Sequence, residues 1–115
     1  MVVVRGENAL AVGAATTTNR VANFTYSVVG KGTLVLWARS TATASSTMVA
    51  LCSISGIPVG PATGSNIFPR GATGALNKNT DNIFAQKVSG GTIELYFQDT
   101  VAGSTVDYQL EFFPG

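Results

Sequence analysis

Three kinds of side chain in this sequence could do chemistry: six carboxylates, one cysteine and one tryptophan. Three of the carboxylates, Glu94, Asp107 and Glu111, fall close together in a C-terminal stretch of alternating residues. A pair of carboxyls at the right separation is the raw material of glycoside hydrolysis, one as acid and the other as nucleophile or base. That chemistry needs a cleft and a neighbour that drives the two pKa values apart, and the sequence names neither. The same carboxylates also read as a solvated polar face, as a contact for arginines of a neighbouring chain, or as a calcium site. The last is the poorest, because flat strands rarely converge enough oxygen ligands. Histidine is absent, which excludes a Ser-His or Cys-His pair, an imidazole base and a His-based zinc or iron site. Cys52, the sole cysteine, can form neither an intrachain disulfide nor a thiolate cluster. It sits in an apolar run, where a buried reduced thiol is expected. The glycines at 56, 60, 64, 71 and 74 lie among prolines with no helix following, so they make no phosphate loop. The chain reads as a non-enzyme without cofactor or metal.

Strands must position these residues. Thr92 to Phe113 carries Ile93, Leu95 and Phe97, then a polar turn, then Val106, Tyr108, Leu110 and Phe112. Strand side chains alternate between faces, so this spacing predicts an amphipathic antiparallel hairpin. With its turn between Val101 and Ala102, Tyr96 would pair with Asp107, Glu94 with Gln109 and Thr92 with Glu111, placing the three carboxylates on one outer face. Arg20 to Arg39 predicts a second hairpin around Gly30-Lys31-Gly32, pairing Val28 with Leu34, Tyr26 with Leu36 and Phe24 with Ala38. Its other face carries Val35, Trp37 and Arg39. Trp37, the only tryptophan, has three readings: covered by a loop of its own chain, anchor of a subunit contact, or stacking platform for a sugar.

Elsewhere the pattern is shorter. Met1 to Val4 is β-prone, Arg5 to Asn8 interrupts it, and Ala9 to Val12 predicts a second short strand. Residues 1–19 read either as a frayed end or as an arm and edge strand reaching a neighbouring subunit. Thr47 to Ser55 predicts a strand apolar on both faces, hence central in a sheet. Residues 56–82 hold three of the four prolines and predict a long irregular loop with one short strand near Ile67-Phe68. Ile83 to Val88 is a further strand. Asn23-Phe24-Thr25 matches a glycosylation sequon but sits within a strand and after no secretion signal. Helical periodicity, heptads and internal repeats are absent. The fold class is all-β: a single-domain antiparallel β-sandwich spanning 1–115, jelly-roll-like on account of its long mid-chain connection, with an immunoglobulin-like sandwich second.

Composition narrows the function. Lys and Arg total 7, Asp and Glu 6, for a net charge of +1 with 11% charged residues, where an ordinary domain carries roughly 25%. Gly, Ala, Ser and Thr supply 50 of the 115 residues. A surface so weakly charged suits a protein mostly covered by neighbours. The balance argues against a nucleic-acid binder, which would show a basic patch. The apolar start is too short for a signal peptide or membrane anchor, so synthesis in a cytoplasm and no membrane partner are expected.

In composition and layout, over its whole length, the chain resembles the small β-sandwich structural proteins of virions. Among them it is most similar to the capsid decoration (cement) proteins of tailed bacteriophages. The resemblance implies a homo-oligomer, commonly a trimer, seated on the outer capsid surface and stapling the major capsid protein. Strand addition and shape-matched loops would make the contacts, multiplied over many copies. Val2, Val3 and Val4 of the arm, Val35, Trp37 and Arg39 of the second hairpin, and Ile67, Phe68 and Arg70 of the long loop are the candidate contacts. A small single-jelly-roll coat protein is the neighbouring alternative, disfavoured by the scarcity of basic groups. A carbohydrate-binding or adhesin-type module, using Trp37, Tyr26 or Tyr96, is the competing class.

Overall fold

The structure, a computed structural model, describes residues 2–12, 24–40, 48–61, 63–67, 76–99 and 104–115. Nine strands run through them: β1 (Val2–Val12), β2 (Phe24–Val28), β3 (Gly32–Ser40), β4 (Met48–Ile54), β5 (Ile57–Val59), β6 (Ser65–Ile67), β7 (Asn82–Val88), β8 (Gly91–Asp99) and β9 (Ser104–Pro114). They form two antiparallel sheets, ordered β1-β9-β3-β7 and β2-β8-β4-β5, with β6 also paired to β4. The fold is an all-β sandwich.

Alternation decides which residues enter the core. Leu34, Leu36 and Ala38 from β3 and Val106, Tyr108, Leu110 and Phe112 from β9 face inward from one sheet. Ile93, Leu95 and Phe97 from β8 and Ala50, Cys52 and Ile54 from β4 meet them from the other. The layers lock where Phe97 of one sheet meets Tyr108 of the other, ring centroids 4.9 Å apart and tilted by 49°. Such an offset contact adds about 1 kcal/mol to the burial of the two rings. As expected, β4 is central, between β8 and β5, and Cys52 is buried. Its thiol is pushed up to about 12 because burial disfavours the thiolate.

Pairing departs from the sequence reading in an instructive way. Neither expected hairpin exists. β8 and β9 lie in opposite sheets, and so do β2 and β3. β8 pairs instead with β2, Tyr26 opposite Ile93, and β9 pairs with β3, Leu36 opposite Leu110. Alternation fixes one buried face per strand but not the sheet that the strand joins. Two strands whose apolar faces meet across a sandwich carry the same pattern as two arms of a hairpin. β8 ends at Asp99 in one layer, and β9 opens at Ser104 in the other.

The resulting pairings nest: β4 with β5, β3 with β7, β2 with β8 and β1 with β9. The described strands pair as one long antiparallel ribbon doubled back at Ser55-Gly56, with β9 also joined to β3 and β8 to β4. Its innermost turn has positive φ at both central residues, 49° at Ser55 and 81° at Gly56, the tight geometry whose twist suits a two-residue hairpin.

Two smaller expectations also shift. β1 is one strand paired along its length with β9 of its own chain, neither a frayed end nor two pieces. The interruption at Arg5 to Asn8 is absorbed by register shifts between Val3 and Arg5 and between Glu7 and Leu10. In the 56–82 segment the short strand expected near Ile67-Phe68 is β6, and β5 is a strand that the sequence pattern did not mark.

Candidate functional site

The outer face of the β1-β9-β3-β7 sheet gathers five of the residues singled out from sequence: Val35, Trp37, Arg39, Asp107 and Glu111. Along β3 the outward positions are Thr33, Val35, Trp37 and Arg39; in register on β9, Glu111 lies opposite Val35, Gln109 opposite Trp37 and Asp107 opposite Arg39. Polar residues of both signs therefore form a cross-strand ladder around one indole ring.

A turn from the long connection closes over this ladder. Asn77 organises it. The Asn77 side-chain oxygen accepts the Asn79 N–H at 2.9 Å, and its carbonyl accepts the N–H groups of Thr80 (3.1 Å) and Asp81 (2.8 Å). Asp81 Oδ2 takes the Asn77 N–H at 2.8 Å and completes the loop. Asn and Asp are suited to this because their short side chains mimic backbone acceptors. The Ala38 N–H donates to the Asp81 carbonyl at 2.9 Å, tying the turn to β3. Lys78 then lies over the sheet. Its carbonyl accepts the Trp37 indole N–H at 3.1 Å, its ammonium stands 4.5 Å from the centre of the Trp37 ring, and the same ammonium pairs with Glu111 Oε2. Gln109 Nε2 donates to that oxygen as well. Glu111 is 1% exposed, whereas Lys78 keeps 47% of its side chain in solvent.

The arrangement has the character of a latch. The charges of Lys78 and Glu111 cancel, the buried carboxylate accepts from two donors, and the cation covers an aromatic face. Glu94 is not part of it. It lies in the other sheet, opposite Thr25 on β2 and Ser53 on β4, where Tyr96 Oη donates to it at 2.7 Å. The three carboxylates placed on one face by the sequence reading are thus split between two sheets. The face expected to be bare and acidic has its Glu111 buried. Among the described residues, no group of three or more Cys, Asp or Glu is placed to hold a metal ion.

The remaining candidates distribute as follows. Val2 and Val3 pair with Phe112 and Glu111, and Val4 is half-buried against the core. Val35 is buried, Trp37 half-buried under the 77–81 turn, and Arg39 half-buried opposite Asp107. Ile67 is a core residue, 2% exposed, and does not belong to a contact surface. Phe68 and Arg70 lie outside the described residues, as does Asn23 of the sequon. Sequence reasoning missed Lys78, Asn77, Asp81 and Gln109. The signal available was turn chemistry, an Asn followed four residues later by an Asp.

A different surface gathers at one end of the sandwich, where the turns at Gly30-Lys31, Ser55-Gly56 and Ser89-Gly90 meet. The Ser55 N–H donates to the Thr92 carbonyl at 2.8 Å and the Gly115 N–H to the Lys31 carbonyl at 3.0 Å. Val29 is 92% exposed there and Ile57 70%. A cleft of about 240 Å³ runs between Ile54, Ile57, Val59 and Val88, and a shallower one of about 340 Å³ lies by Lys31 and Lys87. Neither is lined by a carboxylate side chain.

The chain matches no family model, no curated protein and no solved structure.

Proposed function

We propose that this chain is a structural component of a virion, a decoration protein that binds the outer surface of the shell and stabilises it. One observation carries the reading: the nested pairing of β1 with β9, β2 with β8, β3 with β7 and β4 with β5, rolled into two sheets. With β5 and β6 counted as one interrupted strand, we read this order as jelly-roll-like, an architecture at home in viral capsid proteins and lectins. The low charge supports the same reading, because a surface covered on all sides by neighbours needs little charge to stay soluble. The end bearing Val29 and Ile57, rimmed by Lys31 and Lys87, is the surface that meets the major shell protein.

The same strand order favours one second reading, a small single-jelly-roll coat subunit. Such a subunit presents basic groups to the genome. Here Lys78 is bound to Glu111 and Arg39 stands opposite Asp107, which weakens that reading. A sugar-binding module would use Trp37, Tyr26 or Tyr96. The Lys78 ammonium already stands over the Trp37 ring, and the Tyr96 hydroxyl is bound to Glu94.

A reconstruction of the particle tests the proposal. Density for this sandwich on the outer surface of the shell supports it. Native particles whose shell carries no density for this chain overturn it.

A further inference from the structure

Two sheets leave four edges, and three of them are closed to strand addition. β1 is kinked by two register shifts and carries Arg5 and Glu7. β5 has three residues with Pro58 at its centre, and β6, which shares that edge of β4, is only three residues long. β7 carries Lys87, and its Gln86 side chain accepts the Gly60 N–H at 2.7 Å, linking it to the far end of the other sheet. Bulges, proline, lysine and covering bonds are the devices by which sheet edges avoid association. Among the described residues, β2 has none of them. Among the described residues, nothing pairs with its outer edge. It reads Phe-Thr-Tyr-Ser-Val, and no charged residue occurs between Arg20 and Lys31.

Tyr26 sharpens the point. It sits in register with Ile93, which is fully buried on the core side, yet Tyr26 itself is 38% exposed. In the facing sheet, β1 packs over β8, one strand further in. Among the described residues, an aromatic side chain therefore lies partly open along the one unguarded edge.

We infer that β2 is a self-association edge, at which a second copy of this chain adds its own β2 antiparallel about a two-fold axis through Tyr26. The strand is compatible with itself. About that axis Tyr26 meets Tyr26, Ser27 takes the position opposite Thr25, and Val28 the position opposite Phe24. Polar positions thus meet polar ones, apolar meet apolar, and no like charges face each other. The pairing would join the β2-β8-β4-β5 sheets of two copies into one continuous sheet and cover both tyrosines. Five residues bury less than the roughly 1,000 Å² of a stable interface, so the expected affinity is micromolar, strengthened where many copies are held side by side. The inference does not rest on the virion reading and is tested in solution without particles, so the two can fail separately.

Sedimentation velocity of the full chain over a concentration series reads it, alongside Tyr26→Lys, Tyr26→Glu and Ser27→Lys. The wild type should pass from monomer to dimer. Each variant should weaken dimerisation at least about 10-fold, since each sets like charges beside one another. A 1:1 mixture of Tyr26→Lys and Tyr26→Glu should restore it, which a merely unfolded variant could not do. Trp37 fluorescence matching the wild type verifies that each variant is folded. A wild type that stays monomeric at millimolar concentration, a trimer, a dimer indifferent to these substitutions, or folded variants whose mixture stays monomeric would overturn the inference.

Discussion

Lys78 and Trp37 hold each other twice, the indole N–H on the Lys78 carbonyl at 3.1 Å and the Lys78 ammonium 4.5 Å from the ring centre. The same ammonium neutralises Glu111, which is almost fully buried. A surface turn is thereby tied to the middle strands of a sheet through one side chain. Removing one partner of a buried pair typically costs about 3–5 kcal/mol, and the half-exposed Lys78 end reduces that. Lys78→Met should lower unfolding free energy by about 2 kcal/mol in urea denaturation and shift Trp37 emission to the red. Adding Glu111→Gln should recover part of the loss, because the unpaired carboxylate is gone. A change below about 0.5 kcal/mol would show that the latch is ornamental.

Cys52 sets an alkaline limit on stability. Its thiol rises from 9.0 to about 12 through burial. Between those values the unfolded chain has lost the proton that the folded chain keeps, so unfolding becomes easier as pH rises. The slope is about 1.4 kcal/mol per pH unit from one such group. Stability should therefore decline above pH 9 more steeply in the wild type than in Cys52→Ala, whatever the variant loses at neutral pH. Equal slopes from pH 9 to 11 would contradict this. Below pH 9 the group has no such effect, and the native thiol should resist alkylation until the chain unfolds.

Phe97 and Tyr108 are where the two layers meet. Phe97→Ala leaves a cavity between sheets and should cost about 3–5 kcal/mol. Phe97→Leu keeps most of the volume and should cost well under half of that. Thermal denaturation separates the two, and near-UV circular dichroism should lose the tyrosine signal in both.

Gly32 opens β3 against the last residues of β9. A Cβ there would lie 2.4 Å from both the Phe112 ring and the Phe113 carbonyl oxygen. Gly32→Ala should cost about 1–3 kcal/mol as an overpacked site. Gly56→Ala, with nothing within 4 Å, should cost less and only through its φ of 81°.

How much of this could be read from the sequence follows from what alternation encodes. The inward set Leu34, Leu36, Leu95, Phe97, Tyr108 and Leu110 was legible because period two selects a face. Tyr26 was expected beside them and stands at an edge instead, because edge position is a property of the whole sheet. Partners were not legible either: Leu36 opposite Leu110 and Tyr26 opposite Ile93 are contacts between distant segments, and local spacing cannot distinguish them from a hairpin. The polar cluster shows the same limit. Trp37, Arg39, Asp107 and Glu111 were visible as residue types, but Lys78 enters only because an Asn-Asp turn folds back over them.

The central claim, that this chain is a shell component, is tested most directly by density-gradient banding of particles from cells carrying the gene in its native genome. Peptide mass spectrometry across the gradient should find the chain in the particle band, at a fixed ratio to the shell protein that survives a second banding. Val29→Asp with Ile57→Asp should remove it from that band while leaving it folded in the soluble fraction. Recovery of the wild-type chain only at the top of the gradient, with complete particles banding without it, would contradict the account.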